Sequence, residues 1–76
     1  MRVKIYTTPV CPYCRMAKEF LTQRGVEFEE VNVQENRGAA LEMIQKTGQN
    51  GVPVIEINNK IIVGFNQEKI IEALGL

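Results

Sequence analysis

Histidine does not occur in this 76-residue chain. Its absence removes Ser-His-Asp and Cys-His catalysis, histidine-ligated zinc and imidazole acid–base chemistry together. Cysteine is scarce: Cys11 and Cys14 are the only two. Scaffolds stapled by disulfides usually carry about four to eight cysteines. A Cys11–Cys14 bridge would also be a poor staple. The loop-entropy model assigns a loop of about four residues only about 2 kcal/mol, against about 4.7 for a 100-residue loop. Net charge is lacking too, with nine basic against nine acidic residues. That balance argues against a broad electrostatic footprint for nucleic acid or anionic membrane. No apolar run is long enough to cross a bilayer, and Met1-Arg2-Val3-Lys4-Ile5-Tyr6 does not look like a signal peptide. Repeats, linkers and low-complexity tracts are missing. The expectation is one domain over residues 1–76, near the lower size limit for a single-core protein. The expected compartment is a reducing cytoplasm, where a cysteine pair is more often catalytic or metal-binding than structural.

What is present is ordered around Thr7-Thr8-Pro9-Val10-Cys11-Pro12-Tyr13-Cys14. Residues 2–7 alternate with period two as a half-buried strand does, and Pro9 ends it. Pro12 suits the first turn of a helix, where its missing N–H costs nothing. Tyr13, Ala17, Phe20 and Leu21 then share one helical face, while Arg15, Lys18, Glu19, Gln23 and Arg24 occupy much of the remainder. Gly25 is placed to end this helix in a left-handed conformation. Val26, Phe28, Val31 and Val33 read as a second strand interrupted by Glu29-Glu30. A second helix is predicted over 37–47, with Ala40, Leu41 and Ile44 inward and Gly48 as its stop. Residues 49–51 read as loop, and 52–57 as a strand with Pro53 confined to its entry. Asn58-Asn59 suits a tight hairpin, Ile61-Ile62-Val63 returns, and Gly64-Phe65 breaks the strand. Asn66 can cap a last helix whose first turn contains Glu68 and whose buried stripe is Ile70, Ile71 and Leu74. The order is βαβαββα. Its first βαβ unit should be parallel and right-handed, its last two strands a hairpin, and its helices on both faces of one mixed sheet.

The cysteines fall one turn apart at the start of the first helix. Disulfide exchange needs a thiolate, and an ordinary cysteine near pKa 8.5 supplies only a few per cent at neutral pH. Unpaired N–H groups and the macrodipole at a helix N-terminus favour an anion. Cys11, the outer of the two, is the candidate nucleophile, and Cys14 can resolve the mixed disulfide. Arg15 and Lys18 either add positive potential or form a plain solvated face. Zinc is disfavoured, because one chain offers two thiolates and no histidine where four ligands are wanted.

Cys11-Pro12-Tyr13-Cys14 after Tyr6-Thr7-Thr8, followed by Val52-Pro53 and Gly64, resembles the glutaredoxins of the thioredoxin superfamily over essentially the whole chain. The texture of Gly51-Val52-Pro53-Val54-Ile55 and Ile61-Ile62-Val63-Gly64-Phe65 is closer to small bacterial glutaredoxin-like proteins of the YruB type. The resemblance implies a thioredoxin fold with sheet order 4-3-1-2 and strand three antiparallel to the others. It also implies that Pro53 is cis and faces Cys11, with the Val52 backbone offered to an extended peptide or glutathione. Tyr13, Val52 and Gly64 match glutathione-binding members. Three departures weaken that recognition. Thr8 stands where many members have a cation, Gly64-Phe65 where Gly-Gly is common, and Glu68 one residue from a customary Asp. Gly64-Phe65 instead resembles NrdH-type redoxins, which thioredoxin reductase reduces; there Phe65 is either a docking surface or core.

The expected activity is therefore dithiol thiol–disulfide exchange on protein or low-molecular-weight disulfides, with catalytic Cys11 and Cys14. Tyr13, Val52, Pro53, Gly64, Phe65 and Glu68 are the expected substrate-binding positions. Exchange itself needs no cofactor or metal, and glutathione or thioredoxin reductase would supply electrons. A monomer is expected, without nucleic-acid or membrane partners. The competing class is an iron–sulfur module in which two chains and glutathione bridge a cluster. A redox-regulated binding protein with little turnover is a third reading.

Overall fold

The computed structural model describes residues 2–76. The chain runs β1 (Val3–Thr7), α1 (Pro12–Gln23), β2 (Glu29–Asn32), α2 (Arg37–Thr47), β3 (Val54–Ile57), β4 (Lys60–Val63) and α3 (Gln67–Leu74). The sheet order is β2-β1-β3-β4. β1 pairs with β2 in parallel, and β3 is antiparallel to both β1 and β4. This is the expected thioredoxin arrangement.

Alternation along the two central strands divides the core. Val3 and Ile5 of β1, Ile55 and Ile57 of β3 and Ile62 of β4 pack with Ala17, Phe20 and Leu21 of α1 and Ile70 and Leu74 of α3. Tyr6 and Val54 point the other way and meet Ala39 and Met43 of α2. Local signals set the ends of the elements. Asn36 and Asn66 cap α2 and α3, their Oδ1 atoms accepting the N–H groups of Ala39 at 2.9 Å and Lys69 at 3.1 Å. Gly48 closes α2 at φ 72°, a left-handed conformation that costs glycine little. Asn58 takes φ 55° in the two-residue turn between Ile57 and Lys60.

Three sequence expectations are corrected. The second strand is not Val26–Val33 with a charged break, because Glu29 and Glu30 belong to the ladder itself, opposite Lys4 and Ile5. β2 is an edge strand, where charged side chains reach water. Val26 and Phe28 precede it and pack at the margin of the α1/α3 core.

In α2 the inward residues are Ala39 and Met43, while Leu41 is 56% exposed and Ile44 also faces solvent. Glu42 and Lys46, next to Met43 around the helix, are tied to the sheet. Lys46 Nζ lies 3.1 Å from Glu56, and the Tyr6 hydroxyl donates to Glu42 at 3.3 Å. Those ties fix the rotation and turn Leu41 outward.

In α1 the inward place expected for Tyr13 belongs to Cys14. Cys14 is 1% exposed, whereas Tyr13 is 61% exposed.

Candidate active site

β1 ends at Thr7, and residues 8–11 carry the chain to the start of α1. Cys11 is the residue that caps this helix: its backbone is extended (φ −106°, ψ 106°), and its Sγ accepts the Cys14 N–H at 3.1 Å. Pro12 occupies the first turn, which contains no acidic side chain to oppose a thiolate. The Cys11 and Cys14 sulfurs are in disulfide contact, with Cα atoms 5.2 Å apart. Cys11 is partly accessible and Cys14 buried, so an incoming group meets Cys11 first.

The second wall comes from the lead into β3. The Val52 carbonyl oxygen lies 3.8 Å from Cys11 Sγ, and the Val52–Pro53 peptide is cis, as the resemblance implied. The Val52 side chain is anchored at the edge of the α2 core. Gly64, at φ 86°, donates its N–H to the Pro53 carbonyl at 2.8 Å, so the end of β4 supports the same wall. Cys11, Cys14, Val52, Pro53 and Gly64 are thus brought together.

The other expected positions fall differently. Tyr13 projects from the first turn of α1 into solvent. Phe65 is half-buried against the α1/α3 core, its ring edge-on to Phe20 with centroids 5.8 Å apart. Its packing is that of a core residue. Glu68 is exposed in the first turn of α3.

Lys18 does not stand free beside the cysteines. Its ammonium is 2.8 Å from Glu30, which also accepts the hydroxyl of Thr7 at 2.9 Å. Thr7 is the one buried polar side chain of the described core, 1% exposed. The Lys18 hydrogen bond holds the Glu30 carboxyl below its ordinary range against the cost of burial, with Thr7 assisting. Sequence reasoning missed this tie. It depends on the β1–β2 register, which sets Glu30 opposite Ile5 on the α1 side, and no local pattern announces a register.

Among the described residues, no group of three or more His, Cys, Asp and Glu side chains is placed to hold a metal ion. No helix among them is long and apolar enough to cross a membrane. A polar concavity of about 520 Å³ lies at the far end of the sheet from the cysteines, bordered by Arg2, Lys4, Glu56 and Asn58. Of the cations around it, Lys46 is paired with Glu42 and Glu56, and Lys4 with Glu42.

Residues 3–62, containing the cysteine pair and the cis proline, match the glutaredoxin family model. The chain belongs to the glutaredoxin family. Members are thiol–disulfide oxidoreductases, and the Cys11–Cys14 pair is the redox pair of that class. This glutaredoxin is 46% identical over 68 residues to a glutaredoxin-like 8.6 kDa protein in the rubredoxin operon of Clostridium pasteurianum, covering 90% of this chain and 91% of that one. It is 38% identical over 73 residues to glutaredoxin 3 of Escherichia coli K12, covering 96% and 88%. Among solved structures, it superposes on the glutaredoxin-like NrdH-redoxin of Escherichia coli with a TM-score of 0.84 at 30% identity, covering 95% of this chain and 93% of that one.

Proposed function

We propose that this glutaredoxin reduces protein and low-molecular-weight disulfides by a two-cysteine mechanism. The observation that carries the reading is the position of Cys11, capping α1 with its Sγ on the Cys14 N–H and within bonding reach of Cys14. That N–H and the positive end of the helix stabilise the thiolate more than the thiol. The Cys11 thiolate attacks one sulfur of a substrate disulfide. A Cys11–substrate mixed disulfide forms, and the first product leaves as a thiolate that takes up a proton. Cys14, once deprotonated, attacks the Cys11 sulfur and displaces the second thiol. Two electrons have then passed from the protein dithiol to the substrate, leaving the Cys11–Cys14 disulfide. No cofactor enters these steps.

Glutathione is the proposed reductant of that disulfide, with Tyr13 exposed at the site edge and the Val52 backbone beside Cys11 as its contacts. A second reading, reduction by thioredoxin reductase, is favoured by two features. Thr8 stands where a cation would meet a glutathione carboxylate, and the structural neighbour NrdH-redoxin has a thioredoxin-like activity profile. Either reading places the protein in a reducing cytoplasm. The bridging-cluster reading predicts a brown dimer on anaerobic purification.

The test has two parts. NADPH consumption is compared with glutathione plus glutathione reductase and with thioredoxin reductase, on one disulfide substrate. Turnover with glutathione supports the first reading, and turnover only with thioredoxin reductase replaces it with the second. In parallel, Cys11→Ser should abolish turnover, and Cys14→Ser should accumulate mixed disulfides detectable by mass. Undiminished dithiol reductase activity in Cys14→Ser would sink the two-cysteine mechanism.

A further inference from the structure

The loop that delivers Val52 to Cys11 is poor in means of holding itself still. Residues 48–51 are Gly-Gln-Asn-Gly, and glycine leaves a backbone free to sample many conformations. Two side chains compensate, Thr47 on the backbone of Gln49 and Gln49 on that of Gly51. The Gln49 carboxamide treats Gly51 as a neighbouring strand would: Oε1 accepts the Gly51 N–H at 2.6 Å, and Nε2 donates to the Gly51 carbonyl at 3.2 Å. Nε2 also donates to Thr47 Oγ1 at 3.2 Å, and the Thr47 hydroxyl is itself anchored on the Met43 carbonyl at 2.7 Å. A continuous chain of hydrogen bonds therefore runs from the last turn of α2 to the residue before Val52. Gly51 is shaped to this clasp, because a Cβ there would stand 2.7 Å from Gln49 Oε1.

We propose that Gln49 is a positioning residue for disulfide substrates that carry a peptide backbone. Resting on the exchange activity proposed above, it acts through Gly51. With both polar groups of Gly51 held, the following peptide is presented to Cys11 in one orientation, ready to pair with an extended chain as an added strand does. Without the clasp, a docking peptide has to order the loop as it binds, and that ordering cost lowers the rate of productive encounter. A small disulfide without peptide groups makes no use of the Val52 backbone and is indifferent to the clasp.

The test is a single-turnover reaction, which needs no reductase. Reduced protein is mixed with either a disulfide-linked dimer of a blocked Ala-Cys-Ala peptide or bis(2-hydroxyethyl) disulfide. After acid quenching, oxidised protein is counted by mass. Gln49→Ala and Gly51→Ala should each slow the peptide disulfide about three- to tenfold, the change carried by one neutral hydrogen bond. Both variants should leave bis(2-hydroxyethyl) disulfide at the wild-type rate. Gln49→Glu keeps the acceptor for the Gly51 N–H but sets a carboxylate oxygen against the Gly51 carbonyl, so it should be slowed on the peptide disulfide as Gln49→Ala is. Equal slowing of both disulfides, slowing of neither, or a Gln49→Glu variant at the wild-type peptide rate would each overturn the proposal. Wild-type protein that reduces neither disulfide would overturn the exchange activity itself.

Discussion

At the scale of single residues, accessibility separates side chains that the motif places side by side. Cys14 and Tyr13 are neighbours in the chain, yet one is sealed under the first turn of α1 and the other stands in water. In the proposed exchange, that burial leaves Cys14 within reach of Cys11 and shields it from a bulky disulfide, which would order the two steps. Phe65 is decided in the same way. Its ring lies against Phe20 and the α1/α3 core, so its first contribution is to stability. Phe65→Ala should lower the unfolding free energy by about 2 kcal/mol, less than the ~3–5 kcal/mol of a fully buried ring. Urea unfolding of the reduced protein checks this, and unchanged stability would return Phe65 to the surface. Residue-scale signals tied to the local backbone were readable beforehand. Asn36, Asn66 and Gly48 act within one turn of themselves, and Asn66 and Gly48 were assigned their caps from sequence. Whether Tyr13 or Cys14 turns inward was not readable, because helical spacing admits both and only the packed sheet chooses.

At the scale of elements, α1, β1 and β2 are joined beside the redox loop by the Lys18–Glu30–Thr7 tie. Thr7 is the last residue of β1 and Lys18 lies one turn beyond Cys14, so the tie grips the chain on both sides of the cysteines. Its pH dependence has a definite sign. Glu30 titrates below the ordinary glutamate value of 4.5 when folded. Its contribution is thus present above that value and is lost as pH falls through the lower folded one. Glu30→Gln lacks the contribution at neutral pH and should lose less stability than wild type on acidification from about pH 6 to about pH 3. Thermal unfolding midpoints at the two pH values measure it. Equal acid losses in the two proteins would show that the partly exposed tie contributes nothing, the usual outcome for surface ion pairs. This is also the scale at which the sequence was hardest to read. Glu29-Glu30 reads as a break under strict alternation, which an edge strand open to water does not require. Leu41 and Ile44 looked inward because they are apolar, whereas the ties of Glu42 and Lys46 to the sheet set the helix rotation.

At the scale of the whole molecule, the element order and strand directions followed from punctuation and short connections. Pro9 and Pro12 mark the loop before α1, Gly25 its end, and Asn58-Asn59 the hairpin. With a right-handed βαβ unit and one hairpin, few sheet orders remain. What the fold accomplishes is to bring a helix start and a strand start, 41 residues apart in sequence, to 3.8 Å from one another at Cys11 and Val52. In the proposed exchange the helix start activates the sulfur, and the strand lead presents the substrate to it. The polar concavity lies at the opposite end of the sheet.

The most direct test of the account is the pH dependence of Cys11 alkylation by iodoacetamide in the Cys14→Ser variant, which keeps the backbone N–H at position 14. If the cap and the helix start hold the thiolate, the rate reaches its half-maximum well below about pH 8.5, the value of an ordinary cysteine. A midpoint at about 8.5 would show that the N-terminus of α1 does not activate Cys11, and the mechanism built on that position would be wrong.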